Sequence, residues 1–277
     1  IKKGLVMDEH QLKTILKETF DAVSNGYDGN ALRFFPASAR NMAELLGLRG
    51  DEHVLDVACG TGHASLAAAA RLPRGRVTAV DFSPGMLEQA RRKAAALNLR
   101  NVEFLERDIQ NPGFAEGTFY IAVCAFGIFF VMDMETQLAH VASMVKPGGR
   151  VMISNFQESY FHPLKDLFIS RLTAYGVQNP PQAWKRIAHE AGCRQLFETA
   201  GLENIHVKKM NVGYYLENAD EWWDIVWNAG FRRLVAQLAP QDQERFKREH
   251  LEEIGALMTD KGIWLDVGVL YTVGTKI

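Results

Sequence analysis

The chain has 277 residues, which fits one large α/β domain or one domain with an elaborated cap. Hydrophobic residues make up 47% of the sequence, enough to build a packed core. The 31 basic and 33 acidic residues nearly cancel, which gives no support for a nucleic-acid binder, because such proteins usually show a basic excess.

The first predicted elements are helices. Residues 8–25 carry apolar side chains at helical spacing, and the glycine-containing segment 25–30 ends that helix. A second helix is predicted over residues 37–47, where Gly47 closes it. Residues 8–48 are therefore predicted to form an N-terminal helical segment ahead of the sheet.

Strands and helices alternate from residue 54 onwards. The predicted strands are 54–58, 76–80, 102–106, 119–125 and 150–155. The predicted helices between them are 62–71, a helix that is capped by Ser83 and reaches about 97, and 135–145. Residues 146–149 are predicted to turn into the fifth strand. Strands separated by helices imply a parallel sheet with helices on both faces.

The pattern changes after residue 155. Residues 156–191 are predicted to be helical and irregular, with an interruption at Asn179-Pro180-Pro181. A short helix over 193–200, a strand over 203–212 and two helices within 217–258, split near Pro240, follow. An apolar strand over 263–275 closes the chain. No linker is long enough to separate independent domains, so a single domain over 1–277 is predicted.

The cysteines and the apolar runs bear on where the protein works. Cys59, Cys124 and Cys193 are odd in number and not at metal-ligand spacing, so we expect reduced thiols in a cytoplasmic protein without a metal site. The longest apolar run, 123–132, is too short to span a bilayer. No membrane span is therefore predicted.

A glycine turn, Cys59-Gly60-Thr61-Gly62, ends the first strand and opens a helix. Its glycines let a ligand approach the backbone, and the helix N-terminus offers N–H groups to a phosphate or a carboxylate. The dinucleotide fingerprint would place a third glycine where Ser65 stands. The turn therefore predicts a nucleotide-like ligand without requiring a dinucleotide.

Three acids accompany this turn. Asp56 lies inside the first strand, where a buried acid is costly unless hydrogen bonds satisfy it, and it suits the amino group of an amino-acid-like ligand. Asp81 ends the second strand and suits a ribose diol, and Asp108 ends the third and suits an adenine amino group. An amino acid, a ribose and an adenine in one ligand make S-adenosylmethionine the predicted cofactor.

Four segments in order, VLDVACGTG, VTAVDFSPGMLEQA, FLERDIQN and VKPGGRVMISNF, resemble the motifs of class I S-adenosylmethionine-dependent methyltransferases over about residues 50–156. The resemblance implies a Rossmann-like, mostly parallel sheet of seven strands whose antiparallel last strand, 263–275, pairs with 203–212. It further implies a cofactor-binding core over 50–156, cap insertions over 157–191 and 213–258, and S-adenosylhomocysteine as a product.

The resemblance also implies a set of cofactor contacts. Carried over position by position, these are Asp56, Ala58, Gly60 and Gly62 at the methionine moiety, Asp81 at the ribose, Phe82 and Met86 on the adenosine, Asp108 and Ile109 at the adenine, and Ala125 and Phe126 near the sulfonium. Helix capping by Asp81, a solvated loop acid at Asp108 and core packing by Met86 are the structural alternatives.

The segments Phe20-Asp21, Tyr27-Asp28 and Phe126-Gly127 resemble the subgroup that contains the ubiquinone and menaquinone C-methyltransferases. The sequence departs from that subgroup at Phe129 and Phe130, where the subgroup usually has Arg-Asn. Two rings just past the end of a strand favour an apolar or aromatic small-molecule substrate, or an amine held as a cation against the ring faces. Core packing is the alternative role of these rings.

Aromatic residues concentrate in the predicted cap insertions. Trp223 and Trp227 share a helix face, which predicts core packing or a contact in a homodimer in preference to a substrate cage. His162 and His189 are candidate general bases, and Tyr27 and His162 are candidate substrate contacts. No catalytic residue is assigned, because a sulfonium is already activated and direct in-line transfer needs mainly positioning.

Three other functions stay open at this point. An NAD-dependent oxidoreductase would use the same turn, although Ser65 and Asp108 argue against it. A non-catalytic S-adenosylmethionine-binding protein would keep the same contacts without turnover. An RNA or protein methyltransferase is disfavoured by the balanced charge and by the lack of an appended recognition module.

Overall fold

The computed structural model describes residues 8–178 and 182–277. Among these residues the strands are β1 His53–Val57, β2 Arg76–Asp81, β3 Val102–Glu106, β4 Phe119–Ala125, β5 Val145–Phe156, β6 Leu202–Asn211, β7 Tyr214–Leu216, β8 Ile263–Leu265 and β9 Gly268–Lys276. The α-helices are α1 Glu9–Val23, α2 Phe34–Leu45, α3 His63–Ala69, α4 Pro84–Ala96, α5 Met134–Ser143, α6 Leu164–Ala174, α7 Glu190–Thr199, α8 Ala219–Asn228, α9 Arg232–Val235 and α10 Pro240–Gly255. Short 3-10 helices lie at Asn30–Leu32, Ile128–Phe130 and Ala183–Ile187.

One sheet carries the fold, in the strand order β3-β2-β1-β4-β5-β9-β6. The strands β1 to β5 run parallel, and β9 inserts antiparallel between β5 and β6. The predicted seven-stranded sheet with an antiparallel last strand is therefore confirmed. Its parallel strands bring the carboxyl ends of β1, β2 and β4 to one edge, which is where such sheets bind ligands.

The local sequence explains why the sheet is covered on both faces. Successive residues of β1 point to opposite sides, and Val54 and Leu55, both fully buried, belong to two separate hydrophobic clusters. The helix α4 begins where predicted, because the Ser83 hydroxyl accepts a hydrogen bond from the Met86 N–H at 3.1 Å. Each face of the sheet thus has its own core.

The single strand predicted over 263–275 is wrong in its first part. The chain breaks at Asp266, whose carbonyl accepts from the Phe161 N–H at 2.7 Å and whose carboxylate accepts from the Asn211 side chain. Before that break β8 pairs with β7 in a separate two-stranded sheet, and only β9 joins the main sheet. The pairing of the last strand with the strand predicted over 203–212 is confirmed.

Other boundaries shift by a few residues. The helix α2 begins at Phe34, because a proline at position 36 is tolerated in a first helical turn. The strand β5 begins at Val145 and takes in the predicted turn, with Gly148 at φ +77°. Three helices rather than two lie within 217–258, and the predicted interruption at Asn179-Pro180-Pro181 lies outside the described residues. None of the described helices is both long and apolar enough to cross a membrane.

Candidate active site

Two adjoining cavities open at the carboxyl edge of the sheet. The first, here called the cofactor cavity, is lined by the glycine turn, by the ends of β2 and β4, by the loop after β3 and by α1. The second, here called the aromatic chamber, has a volume of about 1160 Å³ and lies between α1, the segment after β4, and residues of the regions 156–170, 182–185 and 229–234. The elements that form the two cavities come from distant parts of the chain.

The floor of the cofactor cavity is the glycine turn. Gly60 has φ +54°, and a Cβ built on it would meet no atom of the described residues within 4 Å, so the space above it is open. Ala58 also lines the cavity and has φ +55°, a conformation that is uncommon for a residue with a side chain. The backbone of the turn is therefore bare where a ligand would lie against it.

Gly62 has a different role from Gly60. It does not line either cavity, and a Cβ on it would lie 3.0 Å from the Cβ of Ala90 and 3.1 Å from the ring of Phe104. Because φ is +83° and both neighbours are buried, glycine is required here for the packing of α3 against α4 and β3. The geometry accounts for this glycine without a ligand.

Asp81 lies beside the turn and faces the cofactor cavity. One carboxylate oxygen accepts from the Gly60 N–H at 2.8 Å and the other from the Ser83 N–H at 2.9 Å. Burial raises the pKa of Asp81 to about 6, although these backbone donors favour the charged form. Each oxygen keeps a further lone pair, so this carboxylate can still accept two hydrogen bonds from a ligand.

Asp56 is fully buried behind the turn and lines neither cavity. Its Oδ2 accepts from the hydroxyl of Ser65 at 2.5 Å, and its Oδ1 has no hydrogen-bond partner among the described residues. Burial, with a smaller contribution from the charge of Asp81, raises the pKa of Asp56 to about 7. The position of the third dinucleotide glycine is thus occupied by a serine that partners Asp56.

The other predicted cofactor residues all line the cofactor cavity. These are Phe82, Met86, Asp108, Ile109, Ala125 and Phe126. Asp108 also forms an ion pair with Lys13 on α1, with its Oδ2 2.8 Å from the lysine Nζ. Met86 is only 1% exposed, so it combines core packing with a place in the cavity wall.

A polar cluster that was not predicted from the sequence connects the segment after α1 to the glycine turn. Asp28 accepts from the Thr61 hydroxyl at 2.7 Å and lies 2.8 Å from both His63 Nε2 and Lys93 Nζ. Burial alone would raise the pKa of Asp28, but the hydrogen bonds from His63 and Lys93 outweigh it and lower the pKa to about 2. The neighbouring Tyr27 is thereby held at the cavity. In the sequence, the Tyr27-Asp28 pair is notable only for its resemblance to a methyltransferase subgroup, not for its contacts.

The aromatic chamber is walled mainly by rings. They include Phe34, Phe35, Phe129, Phe156, Tyr160, Phe161, Trp184 and Phe231. Phe129 lines only the chamber, whereas Phe130 lines both cavities. A cavity with this wall favours a large, flat, apolar ligand.

The wall that the two cavities share is almost entirely apolar. It consists of Leu12, Leu16, Phe20, Tyr27, Phe35, Phe126, Phe130, Val131 and Met132. Tyr27 is the one member whose side chain carries a polar atom, and its ring stacks on Phe35 with centroids 4.8 Å apart. Burial, together with the charges of Asp81 and Asp28, raises the pKa of Tyr27. Its hydroxyl therefore stays protonated and can donate a hydrogen bond at the junction.

The remaining predicted residues lie further from that junction. His162 lines the chamber, but its ring contacts the carboxylate of Asp166 and its side chain is 62% exposed. His189 lines neither cavity and precedes α7. Trp223 and Trp227 stack on one helix face with centroids 6.1 Å apart and lie outside the chamber wall, with Trp223 in the core.

Comparison with known proteins agrees with this architecture. A family described as "Methyltransferase domain" matches residues 54–149. Aklanonic acid methyltransferase from Streptomyces is 28% identical over 182 residues, which cover 65% of this chain and 83% of that protein. Demethylmenaquinone methyltransferase from Bacillus cereus is 28% identical over 215 residues, which cover 71% and 90%. The crystal structure of the YcgJ protein from Bacillus has a similar fold, with a TM-score of 0.57 at 20% identity over 87% of this chain and 98% of that one.

Proposed function

The chain belongs to the class I S-adenosylmethionine-dependent methyltransferases, and we propose that it transfers the cofactor's methyl group to an aromatic or apolar small molecule bound in the aromatic chamber. The observation that carries this proposal is the shared wall, because it joins a cavity with cofactor chemistry to a chamber of about 1160 Å³. An acceptor in the chamber would then meet the cofactor at that wall.

The residues of the cofactor cavity fit the cofactor. The open space above Gly60 accepts a ligand where any larger residue would place a side chain, and Asp81 has lone pairs to accept from two ribose hydroxyls. Phe82 and Met86 would pack on the adenosine, Asp108 and Ile109 would flank the adenine, and Ala125 and Phe126 would lie near the sulfonium. When bound, S-adenosylmethionine supplies a methyl group already activated for in-line displacement by a nucleophile.

Two further cofactor residues that the resemblance implied would act through the turn. Asp56 would support the methionine end from behind, through its hydrogen bond with Ser65 at the start of α3. Gly62 would hold α3 against its neighbours, so that the N–H groups of the helix terminus stay aimed at the cavity.

The chain's own contribution to the reaction is positioning. The shared wall contains no carboxyl, imidazole or amine among the described residues, so it offers no side-chain base at the junction. The accepting atom must then arrive as a nucleophile, such as a carboxylate, a phenolate or a stabilised carbanion. Tyr27 would orient that atom by donating a hydrogen bond, and the surrounding rings would exclude water.

The first experiment measures which cofactor stabilises the protein. Thermal unfolding is compared with S-adenosylmethionine, S-adenosylhomocysteine and NAD, and we expect the first two alone to raise the midpoint. Transfer of a labelled methyl group is then screened on aromatic acids, phenols, quinols and amines, with the acceptors in the relatives' names among them. Stabilisation by NAD alone would contradict the cofactor assignment, and cofactor binding without any labelled product would favour a non-catalytic binding protein.

A further inference from the structure

The aromatic chamber is lined by three basic side chains that form no ion pair among the described residues, Lys165, Lys185 and Arg233. Lys165 Nζ lies 3.7 Å from the centroid of the Tyr160 ring and 5.0 Å from that of Trp184, and it donates to the Glu158 carbonyl at 3.0 Å. Among residues 8–178 and 182–277 no carboxylate lies within 4.0 Å of this amine. The ammonium is therefore held by ring faces and one carbonyl alone.

Arg233 is the second cation of the chamber wall. Its guanidinium makes neither an ion pair nor a hydrogen bond to the described part of the chain. Burial lowers the pKa of Lys165 to about 8 and also lowers the pKa of Arg233. Lys165 is half-buried and has lost part of its hydration, whereas Arg233 as a whole is exposed. Neither forms an ion pair with a described carboxylate, so both are available to a bound anion.

Two acids of the chamber act on Lys165 without pairing with it, since the charges of Asp166 and Glu158 raise its pKa while the charge of Lys185 lowers it. Asp166 contacts the ring of His162, and both Asp166 and Glu158 are exposed. Neither Lys165 nor Arg233 lines the cofactor cavity, so both lie away from the shared wall where the methyl group would be transferred. The chamber thus combines ring surfaces with positive charge at a distance from the reacting end.

We propose that the acceptor is an extended aromatic molecule carrying an anionic group away from its accepting atom, and that Lys165 and Arg233 recognise this group. The inference rests on the proposed function, because it specifies the acceptor that the chamber would hold. Its ring system would lie among the aromatic side chains, and a carboxylate or a comparable anion would meet the two cations. A cationic amine would be repelled by the same pair.

The test compares two probes that differ only in charge. Anthracene-2-carboxylate and anthracene-2-carboxamide are titrated into the full chain saturated with S-adenosylhomocysteine, and the two Kd values are measured at neutral pH. We expect the acid to bind about tenfold tighter than the amide, because a charged hydrogen bond in a partly dry cavity is lost with the amide. The variants K165M and R233M should each reduce this preference and leave the amide's Kd unchanged.

A matched control is Lys146, whose Nζ also lies over a ring, 4.1 Å from the centroid of Tyr120, but which lines neither cavity. K146M should keep the full preference for the acid. Equal affinities of the two probes for the unmodified protein would overturn the anionic acceptor while leaving an aromatic one in place. Undiminished preference in both K165M and R233M would overturn the assignment to these residues, and failure of both probes to bind would overturn the acceptor chamber and this inference together.

Discussion

Replacing each glycine of the turn by alanine separates ligand binding from folding. Gly60 and Gly62 both have positive φ, so each substitution carries a strain of about 1–2 kcal/mol in the free energy of unfolding. At Gly60 nothing more is added, because no atom of the described residues lies within 4 Å of the new Cβ. At Gly62 the Cβ would lie 3.0 Å from Ala90 and 3.1 Å from Phe104, and overpacking adds about 1–3 kcal/mol.

The effects on cofactor binding should run in the opposite order. A methyl group on Gly60 projects into the space proposed for S-adenosylmethionine, and a clash of about 1–3 kcal/mol weakens its Kd by about 5- to 150-fold. Gly62 lies outside the cavity wall, so its alanine variant should bind the cofactor nearly as well as the unmodified protein once folded. One variant thus loses the ligand and the other loses stability.

Calorimetric titration with S-adenosylmethionine and urea unfolding without it measure the two quantities. Gly148→Ala is the control for backbone strain, since Gly148 has φ +77°, open space for a Cβ and no place in either cavity. This variant should lose only about 1–2 kcal/mol in the free energy of unfolding and bind the cofactor with normal affinity. Normal cofactor affinity in Gly60→Ala would refute the placement of the ligand on the turn.

Three further predictions address the cavities and the helical region that flanks them. Asp81→Asn should weaken the binding of S-adenosylmethionine about tenfold in calorimetry. The affinity of the unmodified protein should fall as the pH drops through about 6, where Asp81 becomes protonated. The same pH profile in the variant would contradict this assignment. Phe129→Ala should leave cofactor affinity unchanged and impair methyl transfer, because Phe129 lines only the chamber. Normal turnover in this variant would show that the ring has only a structural role. His250 is fully buried and accepts from Trp222 Nε1 at 2.8 Å. Burial lowers its pKa from 6.5 to about 4, so stability should be complete above pH 6.5 and fall by up to about 3 kcal/mol towards pH 4. Urea unfolding of His250→Gln should show a flatter dependence over that range, and an unchanged slope would assign the acid sensitivity to other groups.

The part of the cofactor cavity formed by the sheet edge could be predicted, because its residues follow the ends of successive strands, whereas the part formed by residues 9–39 could not. The pattern of a buried strand, a bare turn and a helix places Gly60, Asp81 and Asp108 at one sheet edge by topology alone. Gly62 and Asp56 show the limit of that inference. Sequence position identified them as special, but only the packing of Ala90 and Phe104 and the hydroxyl of Ser65 explain why.

The parts that were not predictable depend on contacts between distant residues. Asp28 meets Lys93 across 65 positions, and Lys13 reaches Asp108 from the first helix. The break at Asp266 likewise depends on Phe161, which is more than 100 residues away. Short-range sequence patterns do not identify such partners, because the contacting residues are far apart in the sequence.

The aromatic chamber also depends on contacts between distant residues. Its construction therefore separates specificity for the acceptor from affinity for the cofactor. Its wall comes from α1, the segment after β4, and the regions 156–170, 182–185 and 229–234, so no contiguous motif can describe its shape. The cofactor cavity, by contrast, is built mostly from the contiguous sheet edge. Only the shared wall would touch both proposed ligands. Substitutions deep in the chamber should therefore change which acceptor is methylated while leaving the Kd of S-adenosylmethionine unchanged, whereas substitutions at Tyr27 or Phe130 should affect both.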